Sequence, residues 1–135
     1  MKNAVKAGKK LILLDPYRSE LARHATYSLQ FRADTDVLLL NSLIHTIIEE
    51  GLCDEKYIAE QTTDFEELKG NVVDYSPETV SPICGISAET LREVARVFAK
   101  AEASIILWGM GISQHIHGTD TVSYTHLTLP TILLV

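Results

Sequence analysis

Lys10-Leu11-Ile12-Leu13-Leu14-Asp15-Pro16 is the stretch whose reading decides the fold. It is a compact apolar run stopped by Asp-Pro. It is too short for a helix and reads as a buried strand, with Pro16 starting the turn behind it. Downstream, Tyr27, Leu29 and Phe31 alternate with Ser28, Gln30 and Arg32, the period-two signature of a second strand. Between the two, the stretch from Arg18 to His24 is polar, with Leu21, Ala22 and Ala25 at helical spacing. The expected unit is strand–helix–strand. A third buried strand is expected at Ser104 to Leu107, running into Trp108-Gly109-Met110-Gly111.

Between the second and third strands the sequence reads as helices. Thr35 is placed to cap the first, with Asp36 in its opening turn at the positive end of the dipole. Leu40, Leu43, Ile44, Ile47 and Ile48 form its apolar stripe, Asn41, His45 and Glu49 face outward, and Gly51 ends it. Asp54 caps a segment from Glu55 to Gln61. Asp64 with Glu67 has capping-box spacing for a helix from Asp64 to Lys69 or slightly beyond. Ser76-Pro77 opens another short helix, and Ser87 caps the last one. That last helix lines Leu91, Val94, Ala95 and Phe98 on one face and leaves Arg92, Glu93, Arg96 and Lys100 wet.

The fold class that follows is α/β: a partial parallel sheet with several covering helices. In open α/β sheets ligands bind outside the carboxyl ends of the strands. Asp15-Pro16-Tyr17-Arg18, Asp34-Thr35-Asp36 and the turn at Gly109 each follow a strand end, so they are candidates for one shared crevice.

Composition narrows the function classes. With 46% hydrophobic and 22% charged residues in 135, the chain has the make-up of a folded globular domain. A net charge of -6 argues against nucleic-acid binding through a basic surface. No apolar run reaches the ~18–20 residues that span a bilayer, and Leu11 to Leu14 is too short for a signal-peptide core. The default expectation is a soluble, cytoplasmic protein. Cys53 and Cys84 stand 31 positions apart with no second cysteine near either, so neither a metal site nor a disulfide framework is expected of them. Both read as small apolar residues.

No catalytic constellation is legible. Gly109-x-Gly111 lacks the third glycine and the helix start of a dinucleotide fingerprint. His115 and His117 form a pair without a third ligand, and His24 and His45 read as structural. The residues alone describe a small α/β ligand-binding unit with no catalytic group and no metal ligands.

Several motifs together carry a resemblance. Leu11 to Pro16, Glu20-Leu21-Ala22-Arg23-His24-Ala25, Asp34-Thr35-Asp36 with Leu39-Leu40-Asn41, Ile48-Glu49-Glu50-Gly51-Leu52, and Ile106 to His115 with Gly118-Thr119-Asp120 stand in one colinear register. Over residues 1–121 they resemble the large subunit of molybdopterin-dependent formate dehydrogenases, within the bis-molybdopterin guanine dinucleotide oxidoreductases. Residues 122–135 lose charge and periodicity, and they are expected to be foreign to the fold.

The resemblance implies a partial molybdopterin-oxidoreductase domain holding part of a molybdopterin guanine dinucleotide, with molybdenum or tungsten as the metal. It implies that Asp15, Pro16, Tyr17, Arg18 and Ser19 approach the nucleotide end. Asp34, Thr35 and Asp36 would form a second contact, with carboxylates accepting from guanine or ribose. Gly109, Met110, Gly111 and Gln114 would lie near the pterin. Tyr17 stands where many relatives carry Arg, with Arg18 adjacent, and Ala33-Asp34 stands where many carry Pro-Gly. The iron–sulfur cysteines, the metal-ligating Cys or selenocysteine and the catalytic His of such enzymes belong to parts of the parent outside this segment. The implied parent oxidises formate to carbon dioxide and passes electrons to iron–sulfur clusters and partner subunits. This segment would bind cofactor and, alone, be inactive. The alternatives are a related enzyme such as a nitrate reductase, or a stand-alone nucleotide-binding or assembly module.

Overall fold

The computed structural model describes residues 2–109. In chain order the elements are α1 (Lys2–Lys6), β1 (Ile12–Leu14), a 3-10 turn (Glu20–His24), β2 (Tyr27–Leu29), α2 (Asp36–Glu49), α3 (Glu55–Gln61), α4 (Phe65–Val72), α5 (Pro77–Cys84) and α6 (Ala88–Ala99). β1 and β2 pair in parallel, with Ile12 opposite Tyr27 and Leu14 opposite Leu29. The α/β class expected from the sequence is what forms, helix-rich around a small parallel sheet.

Both strands are shorter than the apolar runs suggest. Phe31 is nonetheless buried on the same face as Leu29, so the alternation continues past the last ladder pair. The linking segment tightens to a 3-10 turn because only Leu21, Ala22 and Ala25 supply apolar surface, too narrow a face for a full helix. The third strand is a correction: residues 104–107 do not join the sheet, and Ile105 and Leu107 are 83% and 71% exposed. Apolar sequence marks a strand that will be covered on both faces, and no described element covers this one.

The core lies between β2 and the helices. Leu29, Phe31, Leu39, Val80, Cys84, Leu91 and Val94 form one buried cluster, and Ile44, Leu68 and Val72 a second on the other side of α2. Burying each large side chain contributes about 1.5–3 kcal/mol before the entropy of ordering it. Cys84 is fully buried and Cys53 half-buried, as small apolar residues. Burial also pushes the Cys53 thiol pKa up.

α2 sits deeper than its stripe predicts. Asn41, Ser42 and Thr46 are buried along with Leu39 and Ile44, because α2 packs against α4, α5 and α6 at once. Asn41 is thus not an outward residue. His45 is half-buried as well, its Nδ1 donating to the Val72 carbonyl at 2.9 Å across the α4 end. Thr46 Oγ1 donates back to the Ser42 carbonyl at 2.9 Å, while Ser42 Oγ and Asn41 Oδ1 are buried without a partner.

The helix ends follow local chemistry. Asp54 accepts from the Tyr57 amide at 3.0 Å, Ser76 from Thr79 and Ser87 from Thr90, each an N-cap read from sequence. The Asp64–Glu67 capping box does not form: Asp64 sits at φ 61 and its side chain caps nothing. In the left-handed region its carboxylate cannot swing over the third amide of the helix. α2 ends at Gly51, φ 63, and α5 at Gly85, φ 82, both left-handed turns that favour glycine.

Candidate functional site

Parallel pairing sends the chain out of β1 and β2 at the same end of the sheet, which sets two of the three candidate segments side by side. The Asp15 amide donates to the Leu29 carbonyl at 3.2 Å, one step beyond the ladder. Asp15 Oδ1 then accepts from the Tyr17 amide at 2.8 Å, an Asx turn that Pro16 pre-shapes through its fixed φ. Ser19 donates its amide to the Tyr17 carbonyl at 2.9 Å. The result lifts Tyr17 into solvent, 76% exposed, with Arg18 beside it. From the second strand's end, Gln30 Nε2 donates to the Pro16 carbonyl at 3.2 Å and ties the two loops together.

The second loop turns sharply. Thr35 Oγ1 donates to the Arg32 carbonyl at 2.6 Å, and the Thr35 amide to the same oxygen at 3.3 Å. Asp34, inside this turn, has φ 64. Here the chain reaches with aspartate the left-handed conformation that glycine takes most cheaply, which Asp and Asn tolerate better than other side chains. The Thr35 hydroxyl is spent on this turn, so it does not cap α2 as expected. Asp36 opens α2, where its charge meets the positive end of the dipole.

The third segment is described only at Gly109, which stands in open space, with no atom beyond its chain neighbours within 4 Å of a Cβ built on it. Met110, Gly111 and Gln114, the histidines His115 and His117, and residues 122–135 lie outside the described residues. Among the described residues no group of three His, Cys, Asp or Glu side chains could hold a metal ion. No helix there is long and apolar enough to cross a membrane.

Sequence reading missed Gln30 and Arg32, placing them only on the polar face of strand two. The signal was their position: polar residues at a strand's carboxyl end can reach neighbouring segments, Gln30 the Pro16 loop and Arg32 the end of α5. Chemically, the two loops carry carboxylates at Asp34 and Asp36, a phenol at Tyr17 and a guanidinium at Arg18. Carboxylates accept from N–H and O–H donors, and a guanidinium pairs with phosphate oxygens. Together they suit a polar ligand that offers N–H or O–H donors to the carboxylates and phosphate oxygens to the guanidinium, and they contain no nucleophile–base pair.

The family profile described as Molybdopterin oxidoreductase matches residues 1–129. The chain is 42% identical to formate dehydrogenase H of Escherichia coli over 130 residues, covering 96% of this chain and 18% of that protein. It is 39% identical to the F420-dependent formate dehydrogenase subunit alpha of Methanocaldococcus jannaschii, over 85% of this chain and 17% of that protein. A nitrate reductase of Symbiobacterium thermophilum is 41% identical over 82% of this chain and 16% of its own length. Among solved structures, acetylene hydratase from Pelobacter acetylenicus superposes with a TM-score of 0.86 at 33% identity, covering 91% of this chain and 17% of that one. The chain thus spans under a fifth of each of these relatives, and the family implies a molybdopterin cofactor. By the profile match across its length and the parallel fold that accompanies it, the chain belongs to the molybdopterin oxidoreductases.

Proposed function

We propose that this chain forms the nucleotide-end cradle of a molybdopterin guanine dinucleotide within a formate dehydrogenase. The observation that carries the reading is the left-handed turn at Asp34, φ 64, in the loop that leaves β2. Backbone strain at a strand-end loop is retained where a ligand needs the geometry. Asp34 and Asp36 would accept hydrogen bonds from the base and ribose, and Arg18 would pair with the phosphates. Tyr17 and Ser19 would flank them, with Asp15 and Pro16 shaping that loop; Gly109, Met110, Gly111 and Gln114 are proposed to line the pterin side.

The bound group, with molybdenum or tungsten, supplies the two-electron chemistry that turns formate into carbon dioxide. This chain's own residues bind and orient it, and iron–sulfur clusters and electron-transfer subunits elsewhere in the parent would carry the electrons away. The three similar formate dehydrogenase alpha subunits and formate dehydrogenase H favour formate over nitrate as substrate. The nitrate reductases among the relatives make nitrate the second reading.

Two measurements test this. Calorimetric titration of guanosine diphosphate into the 135-residue chain should show binding that Asp34→Asn with Asp36→Asn abolishes; equal binding by both proteins overturns the cradle. The full-length parent should reduce a viologen dye with formate as donor. Nitrate reduction without formate oxidation would overturn the substrate.

A further inference from the structure

We propose that Arg32 is a positioning residue for the nucleotide loop: it clamps the loop to the carboxyl end of α5 and so fixes the left-handed turn at Asp34. The proposal rests on the nucleotide-cradle reading for its functional meaning, and on geometry for its mechanism.

An α-helix leaves its last four carbonyls without partners inside the helix. In α5 these belong to Ser81, Pro82, Ile83 and Cys84. The Gly85 amide takes Ser81 at 2.9 Å, and Arg32 takes all the others. Its Nη1 donates to Pro82 at 2.9 Å and to Ile83 at 3.1 Å, and its backbone amide donates to Cys84 at 2.9 Å. The positive charge also sits at the negative end of the helix dipole. One residue, fifty positions upstream, therefore completes the end of a helix packed in the main core.

The other side of Arg32 holds the loop. Its carbonyl accepts from both the hydroxyl and the amide of Thr35, closing the turn that contains Ala33 and Asp34. The chain of contacts runs from the core helix through Arg32 to Thr35, and Asp34 is carried between them at φ 64. The clamp thus joins the turn that carries Asp34 to the end of a core helix, so a change at Arg32 is transmitted to the backbone of that turn.

The test uses the 135-residue chain with Arg32→Gln, Arg32→Lys and, as a control, Gly85→Ala. The control strains the same end of α5 at φ 82, and its added methyl meets the Arg32 side chain only at ordinary van der Waals distance, 3.7 Å. Guanosine diphosphate affinity is read by calorimetry, thermal midpoint by circular dichroism, and the Asp34 backbone angle by its amide–Hα coupling in solution NMR. Arg32→Gln should weaken the nucleotide about tenfold and shift the Asp34 coupling, while Arg32→Lys recovers part of the affinity. Gly85→Ala should lower the midpoint and leave affinity within about twofold. Equal weakening by Arg32→Gln and Gly85→Ala would reduce Arg32 to a stability role and overturn the proposal. So would an unchanged affinity and coupling in Arg32→Gln. If the unaltered chain binds no nucleotide, the cradle reading fails and the coupling alone decides: a moved Asp34 angle upholds the clamp, an unmoved one sinks it.

Discussion

Arg92 meets the Glu78 carboxylate with two nitrogens, Nε at 3.2 Å and Nη2 at 2.9 Å, and so joins α6 to the first turn of α5. The same guanidinium reaches Glu49 at the end of α2 through Nη1 at 2.7 Å. Its side chain is 23% exposed, between a surface pair and a buried one. Arg96 adds a second fork, with both nitrogens on Glu50 at 2.7 and 2.8 Å. The sequence places both arginines on the wet face of α6: Arg96 is exposed as expected, Arg92 is partly covered, and together they form a polar seam along the three-helix core.

Replacing Arg92 with alanine should therefore cost about 1–2 kcal/mol, more than an isolated surface pair. Arg92→Met should recover part of that through its stem, because the aliphatic carbons pack as well as carry charge. Urea denaturation of the three proteins checks it; a loss below a few tenths of a kcal/mol for alanine would show the seam to be idle.

The same seam makes folding acid-sensitive. Hydrogen bonding to Arg92 holds the Glu78 carboxyl below the usual range, and Arg96 does the same for Glu50. A group whose folded pKa is depressed stabilises the fold above its ordinary pKa and loses that stabilisation as pH falls through the folded value. Stability should thus hold from neutrality to about pH 5 and decline below the ordinary carboxylate range. An Arg92→Met, Arg96→Met double variant should show a flatter decline over the same interval. Parallel curves would sink the assignment.

At alkaline pH the sign reverses. The Tyr27 hydroxyl donates to Glu93 Oε1 at 2.7 Å, and this bond raises the phenol pKa, with burial and the nearby negative charge adding to it. A raised pKa means the protonated phenol favours the folded state, so the contribution is intact below about pH 10 and disappears as pH climbs through the folded value. Ultraviolet titration should show one late-ionising tyrosine that is absent in Tyr27→Phe and returns to the ordinary range in Glu93→Gln.

Asp34 gives a backbone test separate from any ligand. At φ 64 a β-branched residue is strained by about 1–2 kcal/mol relative to glycine. Asp34→Val should melt well below Asp34→Gly, and the glycine variant should stay within about 1 kcal/mol of the parent chain. Equal midpoints for valine and glycine would mean the turn has rearranged.

The exposed pair at the end of the described chain should tolerate charge. Ile105→Lys and Leu107→Lys should leave the unfolding midpoint unchanged within about 0.5 kcal/mol, because neither side chain is covered. A large loss from either would mean that 104–107 is packed after all.

Much of the architecture was legible because local rules governed it. The caps at Asp54, Ser76 and Ser87, the stop at Gly51, and the alternation of the second strand follow from residue chemistry within four positions. What was hidden depends on partners far along the chain. Asn41 is drawn inside because α4, α5 and α6 close around α2, and the seam at Arg92 needs helices 14 and 43 positions away. The candidate site divides the same way: its loops were predicted from strand ends, while the roles of Gln30 and Arg32 depend on which carbonyls the fold brings to them.

The distribution of burial along the chain has a kinetic meaning. From Asn3 through Ser28 no side chain is fully buried, and Leu29 is the first that is. β1 is joined to β2 by the ladder and Asp15 by one backbone bond to Leu29, and the 3-10 turn is closed by its own bonds, whereas α2, α5 and α6 share the core. Such a division produces a cooperative unit of helices with a looser leading segment that opens at lower free energy. Amide hydrogen exchange would then rank the molecule in two tiers, with the Asp15–Ser19 loop exchanging early and the helices beneath it exchanging only when the whole chain unfolds.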